Sequence, residues 1–317
     1  MNVPQDNSRK QLVHKVAWLH YEGGYTQADI ADQLGLSRPT VNRMIKEAHE
    51  LGVVEIKVHA EDSERFELGQ QLCRRFDLLD AVCTPMGHGQ DELLLHLAAA
   101  AADVLQQRLK DGMTVAIGIG RTVSRIPDHF PAKTIPDCRI ISLTGGLDLH
   151  QSGVPHPFNT LSRLAEKLDA DVMYIPTPSY VGDPAAKAVL LEEPSVTTAL
   201  GIAAAADIAI FSIGAADHTS LLFQFNYINA DDMRDLKEQH AAGDVIGRFF
   251  DTEGQPLAID LNQRIIGLSL DDLRAIPVNI LAAGGENKRE ALHAALKSQL
   301  CSVLITDTDT ARWLLAA

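Results

Sequence analysis

Apolar residues in the first fifty positions recur at helical spacing. Leu12, Val16 and Leu19 stand at i, i+4 and i+7, which predicts a helix from about Ser8 to Glu22 that Gly23-Gly24 ends. Thr26 followed by Asp29 reads as an N-cap with an acid three residues on, opening a helix to Leu34 that Gly35 breaks. Ser37 can cap a third helix, with Pro39 tolerated only in its first turn and Val41, Ile45 and Ala48 facing inward to about His49. After Gly52, Val53–Val58 reads as a short strand, a wing or a connector.

The pattern then changes. Residues 60–70 are charged and nearly free of aliphatic side chains, which predicts a boundary at about residue 60: one domain over 1–60, a second over 61–317. A helix over Glu67–Phe76 leads into the second domain. Apolar strand-like runs follow at Ala81–Thr84, Thr114–Gly118, Arg139–Leu143, Val172–Ile175, Ile208–Ile213, Asn279–Ala282 and Val303–Thr306. Helical patterns lie between many of them, notably Glu92–Leu109, Leu161–Leu168, Ser195–Ala206 and Lys288–Ser298. Such alternation predicts an α/β domain with a mainly parallel sheet, whose ligand site lies beyond the carboxyl ends of the strands.

Two short helices joined by a tight glycine-containing turn make a helix-turn-helix, whose second helix enters the DNA major groove. Its outward residues are Ser37, Arg38, Thr40, Asn42, Arg43 and Lys46, types that read base edges and phosphates; Thr26 and Gln27, opening the preceding helix, complete the candidate DNA-binding set. The net charge of −14 argues against indiscriminate nucleic-acid binding. The first 60 residues, however, hold seven basic and seven acidic groups, so the whole excess lies in the body, and Leu36–Lys46 carries three basic residues and no acid.

In the body, Gly118-Ile119-Gly120-Arg121-Thr122 follows a strand, where glycines let backbone approach a ligand and amides suit an anion. It lacks the Gly-Lys-Ser/Thr of a Walker loop and the third glycine of a dinucleotide fingerprint. Thr144-Gly145-Gly146 also follows a strand and reads either as a simple turn or as part of the same site. Asp244, within Gly243–Asp251, can accept hydrogen bonds from ligand hydroxyls or serve a turn. Ala283-Gly284-Gly285-Glu286-Asn287-Lys288 ends a strand and brings Lys288 to the start of a helix, where a phosphate is the natural guest.

The run Trp18–Ile56, with TQADIADQLGLSRPTVNRMIKEA at its centre, resembles the DNA-binding region of the SorC family of bacterial transcriptional regulators, and the body matches as well. The resemblance implies a winged-helix-like head and a C-terminal sugar-binding domain similar in fold to glucosamine-6-phosphate deaminase and ribose-5-phosphate isomerase. It implies effectors that are phosphorylated sugars or related polyol derivatives. GIGRT resembles the family's effector loop, placing effector contacts on Gly118, Gly120, Arg121 and Thr122. GDVIGRFFD places an acidic contact on Asp244, and AGGENK places the phosphate site on Gly284, Gly285 and Lys288. Where some members carry a second threonine or glycine, this chain has Arg121. Ser220–Met233 varies among members and helps set ligand identity. Family members form dimers or tetramers, which implies a homodimer or homotetramer on operator DNA.

The competing reading is a sugar-phosphate isomerase or deaminase, with Asp148, His150, His156 or Asp217 as a base. Nothing in their spacing singles out a catalytic group, so the expectation is a regulator and not an enzyme. Cys73, Cys83, Cys138 and Cys301 form no metal-ligand spacing, and no histidine pair binds metal, so neither metal nor cofactor is expected. No stretch reaches about 18 uninterrupted apolar residues, and MNVPQDNSRK has no signal-peptide core, so a cytoplasmic chain without membrane contact is expected.

Overall fold

The computed structural model describes residues 4–54, 60–147 and 157–317. The chain divides into two compact units, Met1–Asp62 and Ser63–Ala317. In the first, α1 (Pro4–Tyr21), α2 (Gln27–Leu34) and α3 (Arg38–Glu50) form the expected three helices. Thr26 and Asp29 make a full capping box on α2: Asp29 N–H donates to Thr26 Oγ1 at 3.3 Å and Thr26 N–H to Asp29 Oδ2 at 3.1 Å. The Thr26 hydroxyl, which donates to Asp29 Oδ2 at 2.7 Å, and next the Thr26 N–H hold the Asp29 carboxyl below its usual range. Gly35 closes α2 at φ 63, a left-handed conformation natural to glycine. Ser37 caps α3, with Pro39 in the first turn.

Val13, Val16, Ala17, Leu19, Ile30, Val41, Met44, Ile45 and Ala48 are buried together as the core of this unit. The apolar stripe of α1 is centred one residue later than the spacing predicted, with Leu12 only half-buried. Both α2 and α3 cover α1, and a helix covered on two sides buries a wider arc. Arg9 spans to Glu47 with two hydrogen bonds, 3.2 and 2.9 Å, tying α1 to α3. Val53 and Val54 pack half-buried against this core, and the remainder of the expected Val53–Val58 strand lies outside the described residues.

The helix expected over Glu67–Phe76 is longer, α4 (Ala60–Phe76), so the charged stretch after residue 60 is helical. Among the described residues ten strands follow: β1 (Asp80–Thr84), β2 (Thr114–Ile117), β3 (Arg139–Ser142), β4 (Asp171–Met173), β5 (Ile208–Phe211), β6 (Ile213–Ala215), β7 (Gly243–Val245), β8 (Arg248–Phe250), β9 (Val278–Ala282) and β10 (Val303–Asp307). Seven form one parallel sheet in the order β1-β10-β9-β5-β2-β3-β4. Successive residues alternate between its two cores. Ile141, Phe211, Leu281 and Leu304 enter one, and Ile140, Ile210, Ile280 and Ile305 enter the other. Burial on both faces is why these strands read as unbroken apolar runs.

The remaining three strands, β6-β7-β8, form a small antiparallel sheet. The expected strand Ile208–Ile213 therefore splits at Ser212, its first part central in the large sheet and its end in the small one. The segment around Asp244 forms the β7–β8 hairpin, with Asp244 in β7 and not in its turn.

Chain order along the large sheet reverses between β2 and β5. From β2 the chain steps outward to β3 and β4; from β5 it steps the other way to β9 and β10. The loops leaving β2 and β5 diverge there, and a divergence at the carboxyl edge of a parallel sheet opens a crevice.

Candidate functional site

That crevice is a cavity of about 470 Å³. Ile119, Gly120 and Arg121 line it after β2, Ser212 and Gly214 after β5, and Gly284, Gly285, Asn287 and Lys288 after β9. Asp244 enters from β7, and α5 (Gln90–Arg108), which follows β1, contributes Gln90, Leu93 and Leu94 at its start. The segment after β6 contributes Thr219, Ser220, Leu221, Leu222 and Gln224 and is held to two other walls. Arg121 donates to the Gln224 side-chain oxygen, and Asn287 Nδ2 donates to Thr219 Oγ1 at 2.8 Å. This segment packs on a separate satellite core, with Leu222, Ile228, Met233 and Phe249 buried together.

Three charged groups meet in this cavity. Asp244 is buried, and its Oδ2 accepts from Gly247 N–H at 3.1 Å. Burial pushes its carboxyl up to about 6, against the opposing pull of the Gly247 N–H and the Lys288 charge. Burial likewise brings the Lys288 ammonium down to about 8, helped by the Arg121 charge and opposed by Asp244. Lys288 keeps intermediate exposure, so solvent softens its shift more than that of Asp244. The result is a cavity with two cations, one carboxylate and aliphatic walls, suited to a small anion that also carries hydroxyls. The loop bearing Lys288 is fixed from below: Gly285 N–H donates to the fully buried Asp307 Oδ2 at 2.8 Å, and Asp307 also caps the C-terminal helix through Thr310 N–H at 2.8 Å.

Of the residues singled out from sequence for an effector, Gly120, Arg121, Asp244, Gly284, Gly285 and Lys288 line this cavity. Gly118, Thr122, Gly145 and Gly146 do not. Gly118 lies so close over β5 that an added Cβ would stand 2.8 Å from Phe211 Cβ, and one on Gly145 would stand 2.5 Å from the carbonyl oxygens of Thr177 and Pro178. These glycines serve packing. Thr122 is buried with its hydroxyl unpartnered, and Thr144, beside Gly145, lines the cavity instead. Tyr180 and Ser212 also line it and were missed. Tyr180 donates its hydroxyl to the Gly247 carbonyl, and burial pushes its phenol up. Its role needed a contact across 67 residues, but Ser212 carried a local signal: it directly follows a strand.

In the head, Ser37, Arg38, Asn42, Arg43 and Lys46 are exposed and Thr40 is half-buried. Ser37 and Thr40 hydroxyls lie 2.8 Å apart and Ser37 Oγ accepts from Thr40 N–H at 3.3 Å, so both serve the helix start. Thr26 is likewise engaged in its capping box, with half-buried Gln27 next to it. Arg38, Asn42, Arg43 and Lys46 are thus exposed long polar side chains on α3, with His49 and Glu50 exposed at its end.

Of the bases considered for an enzyme, Asp148, His150 and His156 lie outside the described residues, and Asp217 Oδ1 accepts from Thr219 N–H at 2.7 Å as a turn residue. No group of three His, Cys, Asp or Glu side chains suited to a metal occurs among the described residues. All four cysteines are free, and burial pushes Cys83 and Cys301 up to about 12, leaving them inert thiols. No helix among the described residues is long and apolar enough to cross a membrane.

Comparison with known proteins agrees with this geometry. The sugar-binding-domain family model matches residues 61–316, and a winged helix-turn-helix DNA-binding model matches residues 19–55. The deoxyribonucleoside regulator of Bacillus subtilis is 32% identical over 97% of this chain and 98% of its own length. The transcriptional regulator LsrR of Escherichia coli is 31% identical over 97% and 95%. Among solved structures, the full-length sorbitol operon regulator SorC of Klebsiella pneumoniae superposes with a TM-score of 0.74 at 26% identity, covering 96% of this chain and 98% of that one. A DeoR family transcriptional regulator from Listeria monocytogenes gives 0.72 at 28% identity, covering 79% and 99%. These proteins are transcriptional regulators and not enzymes, which sets aside the isomerase or deaminase alternative.

Proposed function

The chain belongs to the SorC family of helix-turn-helix regulators with a sugar-binding domain, and from that membership we propose that it regulates carbohydrate or polyol genes under control of a small phosphorylated effector. The observation that carries the reading is the meeting of Arg121, Lys288 and Asp244 in one cavity at the reversal of strand order. Arg121 and Lys288 neutralise the anion, Asp244 accepts from ligand hydroxyls, and Gly120, Gly284 and Gly285 let backbone amides approach. Capture of the anion draws on Arg121, and Arg121 now holds Gln224. The effector therefore competes with that contact and biases the 219–224 segment. A ligand shifts regulation only through such a difference between states, and about 1–3 kcal/mol of coupling changes operator affinity about 5- to 150-fold.

In the head, Arg38, Asn42, Arg43 and Lys46 read and neutralise the operator, with Thr26, Gln27, Ser37 and Thr40 positioning the two helix starts against phosphates. Two heads of a homodimer, or four of a homotetramer, engage half-sites about one helical turn or a multiple apart. A regulator of this kind works in the cytoplasm, where the chromosome is, and needs no metal or cofactor.

The test selects duplexes bound by the full chain from a random-sequence DNA pool. A panel of sugars, polyols and their phosphates is then screened for a rise in melting midpoint and a change in affinity for the selected duplex. At a concentration about 100 times its dissociation constant, a bound compound stabilises by about 2.7 kcal/mol. Hits restricted to phosphorylated compounds support the reading; hits among free sugars alone remove the phosphate from it.

A further inference from the structure

The head carries an aromatic surface that its own fold leaves uncovered. The chain has two tryptophans and five tyrosines, and one of the former and two of the latter fall within Trp18–Tyr25. Trp18 is 61% exposed, Tyr21 42% and Tyr25 45%. Single exposed aromatics are ordinary, whereas several grouped on one face mark a contact surface.

The grouping follows from helical geometry. Val13, Val16, Ala17 and Leu19 turn one side of α1 to α2 and α3. At 3.6 residues per turn Trp18 stands opposite, in the middle of an exposed arc that also holds His14, Lys15, Tyr21 and Glu22. Glu22 keeps the helical register, its N–H donating to the Trp18 carbonyl at 2.9 Å. The Tyr21 hydroxyl is fixed 2.6 Å from His49 Nε2 at the end of α3. The Tyr25 ring folds back on the end of α1, where a Cβ on Gly23 would stand 2.9 Å from its Cδ2.

The charges on this arc say what covers it. Lys15 precedes Trp18 by three residues and Glu22 follows it by four, so the two charges lie about 10.5 Å apart along the axis with Trp18 midway. Neither forms an ion pair among the described residues. A second copy of α1 laid antiparallel across Trp18 sets each Lys15 against the other copy's Glu22, with the two tryptophans at the twofold axis. A parallel arrangement sets like charges against each other. The exposed parts of these aromatic side chains, at about 150–250 Å² for a whole one, fall short of the about 1,200 Å² of a free-standing interface. The contact therefore needs two heads already held close together, as adjacent half-sites hold them.

We propose that the Trp18 face of α1 is a contact between two copies of this chain, formed antiparallel around Trp18 with reciprocal Lys15–Glu22 pairs when two heads occupy adjacent half-sites. This rests on the operator-binding reading given above. The face makes binding to paired half-sites tighter than two independent heads allow.

The experiment uses the full chain. Wild type, Trp18→Ala, Lys15→Glu, Glu22→Lys and the double exchange Lys15→Glu/Glu22→Lys are titrated by fluorescence anisotropy onto a selected duplex with two half-sites and onto one half-site alone. On the paired duplex, Trp18→Ala is expected to lose about tenfold and each single charge reversal about fivefold. Affinity for one half-site and the melting midpoint are expected to stay as in wild type. The double exchange is expected to recover wild-type binding, because it rebuilds both pairs with their signs reversed. Separately, a photoreactive Trp18→benzoylphenylalanine variant is irradiated with and without the duplex. The expected adduct joins two copies of the tryptic peptide Val16–Arg43, which is intermolecular by its composition. Undiminished binding of Trp18→Ala to the paired duplex overturns the proposal. So does an equal loss on both duplexes, because the face then meets DNA or its own chain, and so does a double exchange no better than the single reversals. Adducts confined to other peptides overturn it as well. If wild type binds no duplex, the operator reading fails on its own account, and the self-joined peptide alone decides whether this contact exists.

Discussion

Replacing Asp244 by asparagine removes a charge from a buried site while keeping the shape of the protonated acid. Its carboxyl lies at about 6 instead of the ordinary 3.8, with burial as the leading cause. The folded state therefore holds its proton through a window in which the unfolded chain has already lost it. Stability falls as pH rises from about 4 to about 6 and the full penalty stands above that. A rise from 3.8 to about 6 is worth about 3 kcal/mol at about 1.36 kcal/mol per tenfold in ionisation. Asparagine escapes the penalty, and its side-chain oxygen can still accept from Gly247 N–H.

Asp244→Asn is thus expected to raise the melting midpoint of the effector-binding unit by about 6–12 °C at about pH 8, taking about 2–4 °C per kcal/mol. At about pH 4.5 most of the wild-type penalty has gone and the gain shrinks to about 1 kcal/mol. Scanning calorimetry at both pH values reads this directly, and the same variant loses most of its response to a polyhydroxylated effector. An asparagine variant that melts lower than wild type at pH 8, or that gains equally at both pH values, would falsify the account of Asp244 as a buried charge kept for binding.

Lys288→Met should abolish most of the stabilisation by a sugar phosphate and leave DNA affinity in its absence nearly unchanged. In wild type, effector affinity should decline as pH rises through about 8, where the ammonium loses its proton, and Lys288→Met should flatten that profile in calorimetric titrations. Arg43→Ala should weaken binding to a selected duplex about tenfold in fluorescence anisotropy, with effector-induced stabilisation intact; loss of both would break the division of labour between the units. Gly145→Ala drives a Cβ to 2.5 Å from two carbonyl oxygens and should cost more than about 2 kcal/mol in unliganded stability, marking that glycine as a packing residue.

Elements whose cause is local were legible in the chain. The capping box of Thr26 and Asp29, the stop at Gly35 and the Ser37 cap with Pro39 act within four residues, so the helix-turn-helix could be read nearly residue by residue. The parallel strands were legible because burial on both faces leaves unbroken apolar runs. The break at Ser212 was not, because Ile208–Ile213 is uniformly apolar apart from that serine, and only pairing with β7 draws its end into a second sheet. The same limit explains the site. Arg121, Asp244 and Lys288 stood out as charged residues beside glycines, and each lines the cavity. Gly118 and Gly145 carried the same local signal, and what separates them is the backbone of another segment pressed against them.

Composition and spacing by themselves determined the helix-turn-helix of the head and the alternating α/β pattern of the body, since each follows from interactions between near neighbours in sequence. Only the tertiary structure decided which charged groups meet. The reversal of strand order between β2 and β5 opens the cavity, burial moves Asp244 and Lys288 toward neutrality, and the approach of the Gly120 loop encloses Ser212. Desolvation and close approach depend on what the rest of the chain places overhead, and no local pattern carries that.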